Sequence, residues 1–323
     1  MRIARIFFSR WQNWLGMLLV LAFIGMAIAA PLLSPVDSRN PGPMKVVGSN
    51  TDLRPHPPSP EAPLGTLPRQ ISVYHGLVWG ARSALFFGLT ITLICAVIGV
   101  LIGAVSGYFG GFLNSFLMRM TDAFLAFPVI AGVVLIQQLI TIAIDNMGIQ
   151  YSLTGIYVYM VNGLPYEVPA GIKATFDLLL KIDSVAIALI LFSWMPYARV
   201  MNTTVLRLKD VDYVQAAKTS GDRPSRIIVR HLIPNAIAPM IVLAARDIGS
   251  MVVLQATFVF IGFGQGSPWA TLLVTGRDWI YAPGGILTYW WVFLPATLAI
   301  VLFGIGWNLL GDGLNDALNP HSV

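Results

Sequence analysis

Residues 84–105, ALFFGLTITLICAVIGVLIGAV, decide what kind of molecule this is. They sit inside a longer stretch between Arg82 and Arg119 that holds no charged side chain. A helix rises about 1.5 Å per residue and the hydrocarbon layer of a bilayer is about 30 Å thick, so about 20 such residues cross it. The whole chain has the same character: 323 residues, 56% hydrophobic and 11% charged, against roughly 25% charged in a soluble domain. That composition excludes a water-soluble enzyme, a secreted disulfide scaffold and a disordered hub. The one cysteine, Cys95, lies within this run and excludes an intramolecular disulfide or a multi-cysteine metal site.

Outward from this segment, five further uncharged or nearly uncharged runs predict spans at 14–33, 123–144, 184–197, 236–260 and 287–310. The fourth reaches 201 if Arg199 snorkels toward headgroups. The expected fold is therefore all-α and integral to a membrane, with six transmembrane helices. The chain divides into 1–33 (amino terminus and first span), 34–80 (a proline-rich loop), 81–144 (second and third spans), 145–183 (an insertion) and 184–323 (the last three spans). Arg2, Arg5 and Arg10 precede the first span, and seven of the twenty basic residues lie between Arg199 and Arg230. Enrichment of Lys and Arg on the cytoplasmic side then puts both termini and the segment between spans four and five inside. The net charge of +5 is spread over separate loops, which gives no nucleic-acid surface.

Two stretches outside the spans are predicted in outline. The loop from Ser34 to about Tyr74 carries Pro55, Pro57, Pro58, Pro60 and Pro63, a composition that favours an extended external spacer. The insertion contains the β-branched and aromatic run 156–161 followed by Asn162-Gly163, a hairpin-turn pair, which predicts an external hairpin and then an interfacial helix.

Within the second span Gly99, Gly103 and Gly107 share one helix face, suited to close helix packing or to lining a path. Arg246 and Asp247 are adjacent ionised residues inside the fifth span. Neighbouring helix positions diverge by about 100°, so the two point different ways. They line an aqueous path, meet another subunit, snorkel, or form a structural ion pair.

The most informative loop is 206–235. Tyr213-Val214-Gln215-Ala216-Ala217 runs to Ser220-Gly221, which predicts a short helix closed by a glycine. Asp222 is expected to cap a second helix with Pro224 in its first turn, Arg223, Arg226 and Arg230 on one face, and Ile227, Ile228 and Leu232 for packing. Pro234 ends it. Such a pair of helices suits docking into a groove of another protein, while an ordinary basic loop would share the composition.

Here a resemblance enters. Gln215-Ala216-Ala217, Gly221 and His231-Leu232-Ile233-Pro234-Asn235 resemble the cytoplasmic EAA loop of permease subunits in bacterial ABC importers. The ending is similar to the dipeptide, oligopeptide and nickel branch. Further matches run in order: Leu64-Gly65-Thr66, Gly80-Ala81-Arg82, Gly107-Tyr108-Phe109-Gly110-Gly111, Met118-Arg119, Asp122, Leu125-Ala126-Phe127-Pro128, Trp269, Gly276-Arg277-Asp278, Asn308-Leu309-Leu310-Gly311-Asp312 and Asp316-Ala317-Leu318. The resemblance covers about 64–320 without the insertion and places the chain with the C-type permeases.

It implies the type I importer permease fold in a bacterial cytoplasmic membrane and a second homologous permease subunit that completes the path. It also implies an external substrate-binding protein and two cytoplasmic ATPases that use ATP and magnesium and dock on the loop. The chain itself would bind no cofactor or metal and catalyse nothing: no Gly-Lys dipeptide occurs, so no phosphate loop of that kind exists in it. Departures from the pattern are Gln215 in place of Glu, Leu67 to Val73 in place of an acidic and Gly-Arg-Asp segment, Asn202 in place of a frequent basic residue, and the insertion. The rival readings are a self-sufficient secondary transporter or channel, which would need more coupling-ion residues in its spans, and an intramembrane hydrolase. The hydrolase would need a catalytic constellation, which the dispersed His56, His75, His231 and His321 do not offer.

Overall fold

In the computed structural model, the described residues are 7–8, 10–36, 42–49, 51–146, 149–151, 157–161, 164–166, 183–264, 266–283 and 285–318. The helices that organise them are α1 (Trp11–Leu33), α2 (Val73–Phe109), α3 (Gly111–Ala126), α4 (Val129–Asn146), α5 (Ser184–Ser193), α6 (Met195–Leu208), α7 (Asp212–Thr219), α8 (Ala238–Ile261), α9 (Pro268–Gly276) and α10 (Trp290–Leu318). Five segments are long and apolar enough to cross a membrane: α1, α2, α5 with α6, α8 and α10. A sixth is obtained when the bent pair α3 and α4 counts as one. The all-helical membrane fold expected from hydropathy is present, with two local differences in the spans.

The first difference is in the third span. The run 123–144 reads as one helix, but the chain breaks at Phe127-Pro128 and the two helices meet at 86°. Pro128 has no N–H to continue the ladder, and its ring drives the preceding residue out of the helical region. Phe127 accordingly is extended, at φ −80° and ψ 127°. The second difference is length: α2 has 37 residues, about 55 Å at 1.5 Å each. It starts well before residue 84, where the Ser72 side chain caps it by accepting the His75 N–H at 3.3 Å.

The glycine face of α2 packs. A Cβ on Gly99, Gly103 or Gly107 would collide with or press on α6, at the Trp194, Ala198 and Asn202 carbonyls respectively. Small residues there let two backbones approach closely enough for direct van der Waals contact. Across the bundle α8 runs antiparallel to α10, with Gly249 against Gly304 and Trp307. The α1 helix lies on α10, where Gly16 faces Leu309 and Leu310 and Arg10 pairs with Asp316 at 2.8 Å. One core joins α2, α5 and α6 to residues of the 206–235 loop, and a second joins α1, α2, α8, α9 and α10.

The proline-rich segment is a folded cap, which corrects the expectation of an extended spacer. Thr66–Leu67 (β1) pairs antiparallel with Ile71–Ser72 (β2), and Val46 bridges to Ile71. Leu67 and Val73 are buried against Leu272, Trp291, Val292 and Ala296. Asp52 gathers the turn: its carboxylate accepts from the Arg54 N–H at 2.9 Å, the His56 ring at 2.8 Å and the Gln70 amide at 3.1 Å. The Arg54 N–H, then the His56 ring, hold the Asp52 carboxyl below its ordinary range. The consecutive left-handed residues Arg69 (φ 64°) and Gln70 (φ 56°) are fixed by the same group of contacts. Composition records the local stiffness of proline but not these long-range bonds.

Nearby, buried His75 joins α1 to α2: its Nε2–H donates to the Gly42 carbonyl at 3.2 Å, so Nδ1 accepts the Ser34 hydroxyl at 2.7 Å. In the insertion, Ile149–Tyr151 (β3), Tyr157–Val161 (β4) and Leu164–Tyr166 (β5) form an antiparallel sheet in the order β3-β4-β5. Val161 faces Leu164 across the Asn162-Gly163 pair, as the hairpin reading expects. The expected interfacial helix falls on 167–182, outside the described residues.

Candidate functional site

The loop between α6 and α8 is built as two helical arms. The first, α7, ends in a two-bond glycine closure: the Gly221 N–H donates to the Lys218 carbonyl and the Asp222 N–H to the Ala217 carbonyl, both at 3.1 Å. Gly221 takes φ +82°, where a side chain is strained. The sequence reading of this closure and the structure agree.

The second arm starts with the turn Pro224–Arg226, continues as a π-helical segment Ile227–Leu232 and ends in the turn Ile233–Ala236. The segment uses the wider i→i+5 bonding of a π-helix. The Ile233 N–H reaches back to the Ile228 carbonyl, and the Asn235 side chain supplies a further donor, to the His231 carbonyl at 2.6 Å. Asp222 does not cap this arm, contrary to expectation. The N-cap position falls to Arg223, which makes no side-chain cap bond, and Asp222 instead pairs with Arg226 at 3.3 Å and lies 3.8 Å from His231.

Burial splits the loop into roots and surface. Val214, Ala217, Ile227, Ile228, Leu232 and Ala236 are buried in the core that also holds Met201, Val205 and Met240 of the spans. Tyr213, Gln215, Ala216, Gly221, Arg223, Arg226, Arg230 and Pro234 are exposed, and His231 is half-buried. The two adjacent alanines of the motif part: Ala217 packs inward and Ala216 faces out. Two side chains clamp α7 to the end of α6. Lys218 Nζ donates to the Lys209 carbonyl at 3.2 Å and Gln215 Nε2 to the same carbonyl at 3.3 Å. Lys218 also lies 5.6 Å from the Tyr108 ring centroid at the end of α2, a cation–π contact that no local motif announces.

In the spans, Arg246 and Asp247 diverge as helix geometry requires. Arg246 pairs with Asp312 of α10, and Gly311 leaves the room its side chain needs. Asp247 turns the other way and accepts the Tyr197 hydroxyl of α6 at 2.7 Å. Asn202 is buried and donates to Ser106 Oγ at 2.7 Å and Asn114 Oδ1 at 2.6 Å. Tyr197, Asn114 and Ser106 were missed in the sequence because their partners lie 50, 88 and 96 positions away.

Comparison with known proteins gives the same direction. A peptide transport system permease protein of Brucella suis biovar 1 is 29% identical over 98% of this chain and 90% of its own. The dipeptide transport system permease of Bacillus subtilis is 29% identical, covering 94% and 80%. The glutathione transport system permease of Pectobacterium atrosepticum is 27% identical, covering 94% and 85%. The family described as the binding-protein-dependent transport system inner membrane component matches residues 99–322. With that match over most of its length, and with the helical spans and two-armed loop just described, the chain belongs to this family of membrane permease components.

Proposed function

We propose that this subunit forms half of the translocation path of an ATP-driven importer for peptides or a related small solute, and that the two-armed loop docks a cytoplasmic ATPase. The observation that carries this is the split of α7 into an outward surface, Tyr213, Gln215 and Ala216, and an inward root, Val214 and Ala217, that shares a core with the spans. The exposed Arg223, Arg226 and Arg230 form a basic rim beside it, with His231 and Pro234 at its far end. Rooted in this way, the loop transmits a push to α6 and α8, whereas a solvated basic loop would absorb it.

On this reading both termini face the cytoplasm, a second related permease completes the path, and a binding protein delivers solute to the opposite face, where the Asp52 cap and the insertion stand. ATP and magnesium belong to the ATPases. Relatives that carry peptide, dipeptide and glutathione transport names support a peptide-like solute.

The test is co-purification of the assembled transporter with Ala216→Trp or Gly221→Val. Ala216 is exposed, so the Ala216→Trp permease should stay folded and monodisperse while ATPases and uptake are lost together; Gly221→Val also strains the turn between the arms, because Gly221 sits at φ +82°. Retention of both in the Ala216→Trp protein would overturn the docking assignment.

A further inference from the structure

Two ion pairs lie on the outer surface of the bundle, within its spanning segments. Arg246 and Asp312 join α8 to α10 with side chains 43% and 56% exposed. Arg199 and Asp122 join α6 to α3 at 3.2 Å, 56% and 51% exposed. The spans that bear the two arginines are those flanking the loop, and the depths match. Arg199 is nine residues from Leu208 and Arg246 eight from Ala238, about 14 and 12 Å along their helices from the loop.

By the hydropathy limits of the spans Arg246 lies inside its span, while Arg199, Asp122 and Asp312 lie within two residues of the ends of theirs. Ionised side chains there are costly in lipid and are found facing water-filled cavities or partners. Arginine can snorkel, but aspartate is too short to follow it. Other exposed faces of the bundle look different: Leu18, Leu21 and Ile28 on α1, and Leu89, Leu93 and Val97 on α2, are apolar throughout, as a lipid-facing surface should be. Beside the arginine of one pair and the aspartate of the other the exposed surface is polar, with Thr203 one turn from Arg199 and Asn308 one turn from Asp312, while Leu125 beside Asp122 is exposed and apolar.

We infer that these two ion pairs line a water-filled vestibule that opens on the loop side and reaches to the level of Arg199 and Arg246. It would carry a hydrated solute with charges of both signs, such as a zwitterionic peptide, past paired arginine and aspartate side chains. This rests on the permease reading above and adds which surface of the chain is wet. Asp247 has no place in it, because it is turned to Tyr197.

The single buried Cys95 makes the test direct. In a Cys95→Ala background, cysteines are placed at Thr203 and Asn308, with Leu18 and Leu93 as lipid-side controls and Ser220 as a water-exposed reference. The assembled transporter in inside-out vesicles is treated with a membrane-impermeant sulfonated methanethiosulfonate, which reacts with thiolate in water. Thr203→Cys and Asn308→Cys should react at least about tenfold faster than the controls. Rates equal to the controls would overturn the vestibule in favour of a lipid-facing surface. Reaction in the isolated chain that disappears on assembly would overturn it in favour of a subunit contact. Failure of the docking proposal is read separately, by loss of ATPase co-purification, and leaves the labelling of the chain interpretable.

Discussion

Replacing Asn202 with leucine probes the joint on which three helices meet. Asn202 is 4% exposed. Its amide donates one hydrogen to Ser106 Oγ of α2 at 2.7 Å and the other to Asn114 Oδ1 of α3 at 2.6 Å, and the Ser106 hydroxyl passes on to the Gly103 carbonyl at 3.0 Å. Leucine keeps the volume and removes both donors. In soluble proteins each such bond contributes about 0.5–1.5 kcal/mol net, which would give about 1–3 kcal/mol for the pair. Between membrane helices the average is nearer 0.6 kcal/mol per contact, because the unfolded chain in a bilayer finds other partners. The membrane value governs here, so we expect a loss of about 1–2 kcal/mol, a five- to thirtyfold shift in the folding equilibrium. The assay is denaturant-driven unfolding of the purified chain in mixed micelles, run as double-mutant cycles with Ser106→Ala and Asn114→Leu. Coupling of about 0.5 kcal/mol or more in each cycle is expected. Zero coupling in both, or an Asn202→Leu protein as stable as the parent, would refute the argument that this amide ties α6 to α2 and α3.

Gly103→Ala should lower stability by about 1–3 kcal/mol by overpacking, because its Cβ meets the backbone of α6. Gly25→Ala has open space and should be neutral or slightly stabilising; thermal unfolding of the two proteins makes the comparison. His75→Leu strands the Ser34 hydroxyl and the Gly42 carbonyl and should cost about 1–3 kcal/mol, read as earlier protease cleavage of 35–50 at fixed temperature. The Asp52 carboxyl has a depressed folded pKa, so its contribution is complete above the ordinary carboxylate value of about 3.9. That contribution is lost as pH falls through the still lower folded value. Proteolysis of the 44–72 cap should therefore accelerate toward pH 3, and Asp52→Asn should be sensitive already at pH 6 with little further change; a parent protein with a flat profile would refute this.

Much of the bundle is legible in the chain because burial in lipid imposes a requirement on every residue of a span. The ends of α1 and α8 lie within three residues of the hydropathy runs that predict them. Proline 128 was equally visible, yet an apolar window passes over it, since proline costs little hydropathy while it removes a hydrogen bond. The cap failed for the opposite reason. Its prolines dominate the composition, while what folds it is Asp52 reaching Gln70 and Leu67 meeting Trp291, contacts that no local pattern records. For the loop, residue types gave the arms and the closing Gly221, but which alanine faces out depends on the phase of α7 against α6. That phase is set by the Lys218 and Gln215 bonds to Lys209. Gln215 is informative in this respect: its amide donates to a carbonyl, a bond that an ionised glutamate at that position has no hydrogen to make.

The stiffness that the proposed docking requires has an identifiable source. Tyr197 is eleven residues above Leu208, and Asp247 nine above Ala238, so their hydrogen bond staples the two flanking spans about 14–16 Å from the loop. Below the staple, the buried loop residues fill the space between the same spans. A segment held at its base by packing and higher up by a hydrogen bond moves as one body, because close-packed interiors transmit displacement and do not absorb it. Displacement of α7 therefore carries α6 and α8 with it. Helices α2 and α8 contribute residues to both cores, and through them the motion reaches α1, α9 and α10. Breaking the staple alone, as in Tyr197→Phe, would leave the loop docked yet let the upper halves of α6 and α8 slide independently. Coupling between ATP turnover and uptake would then fall while ATPase binding stays intact.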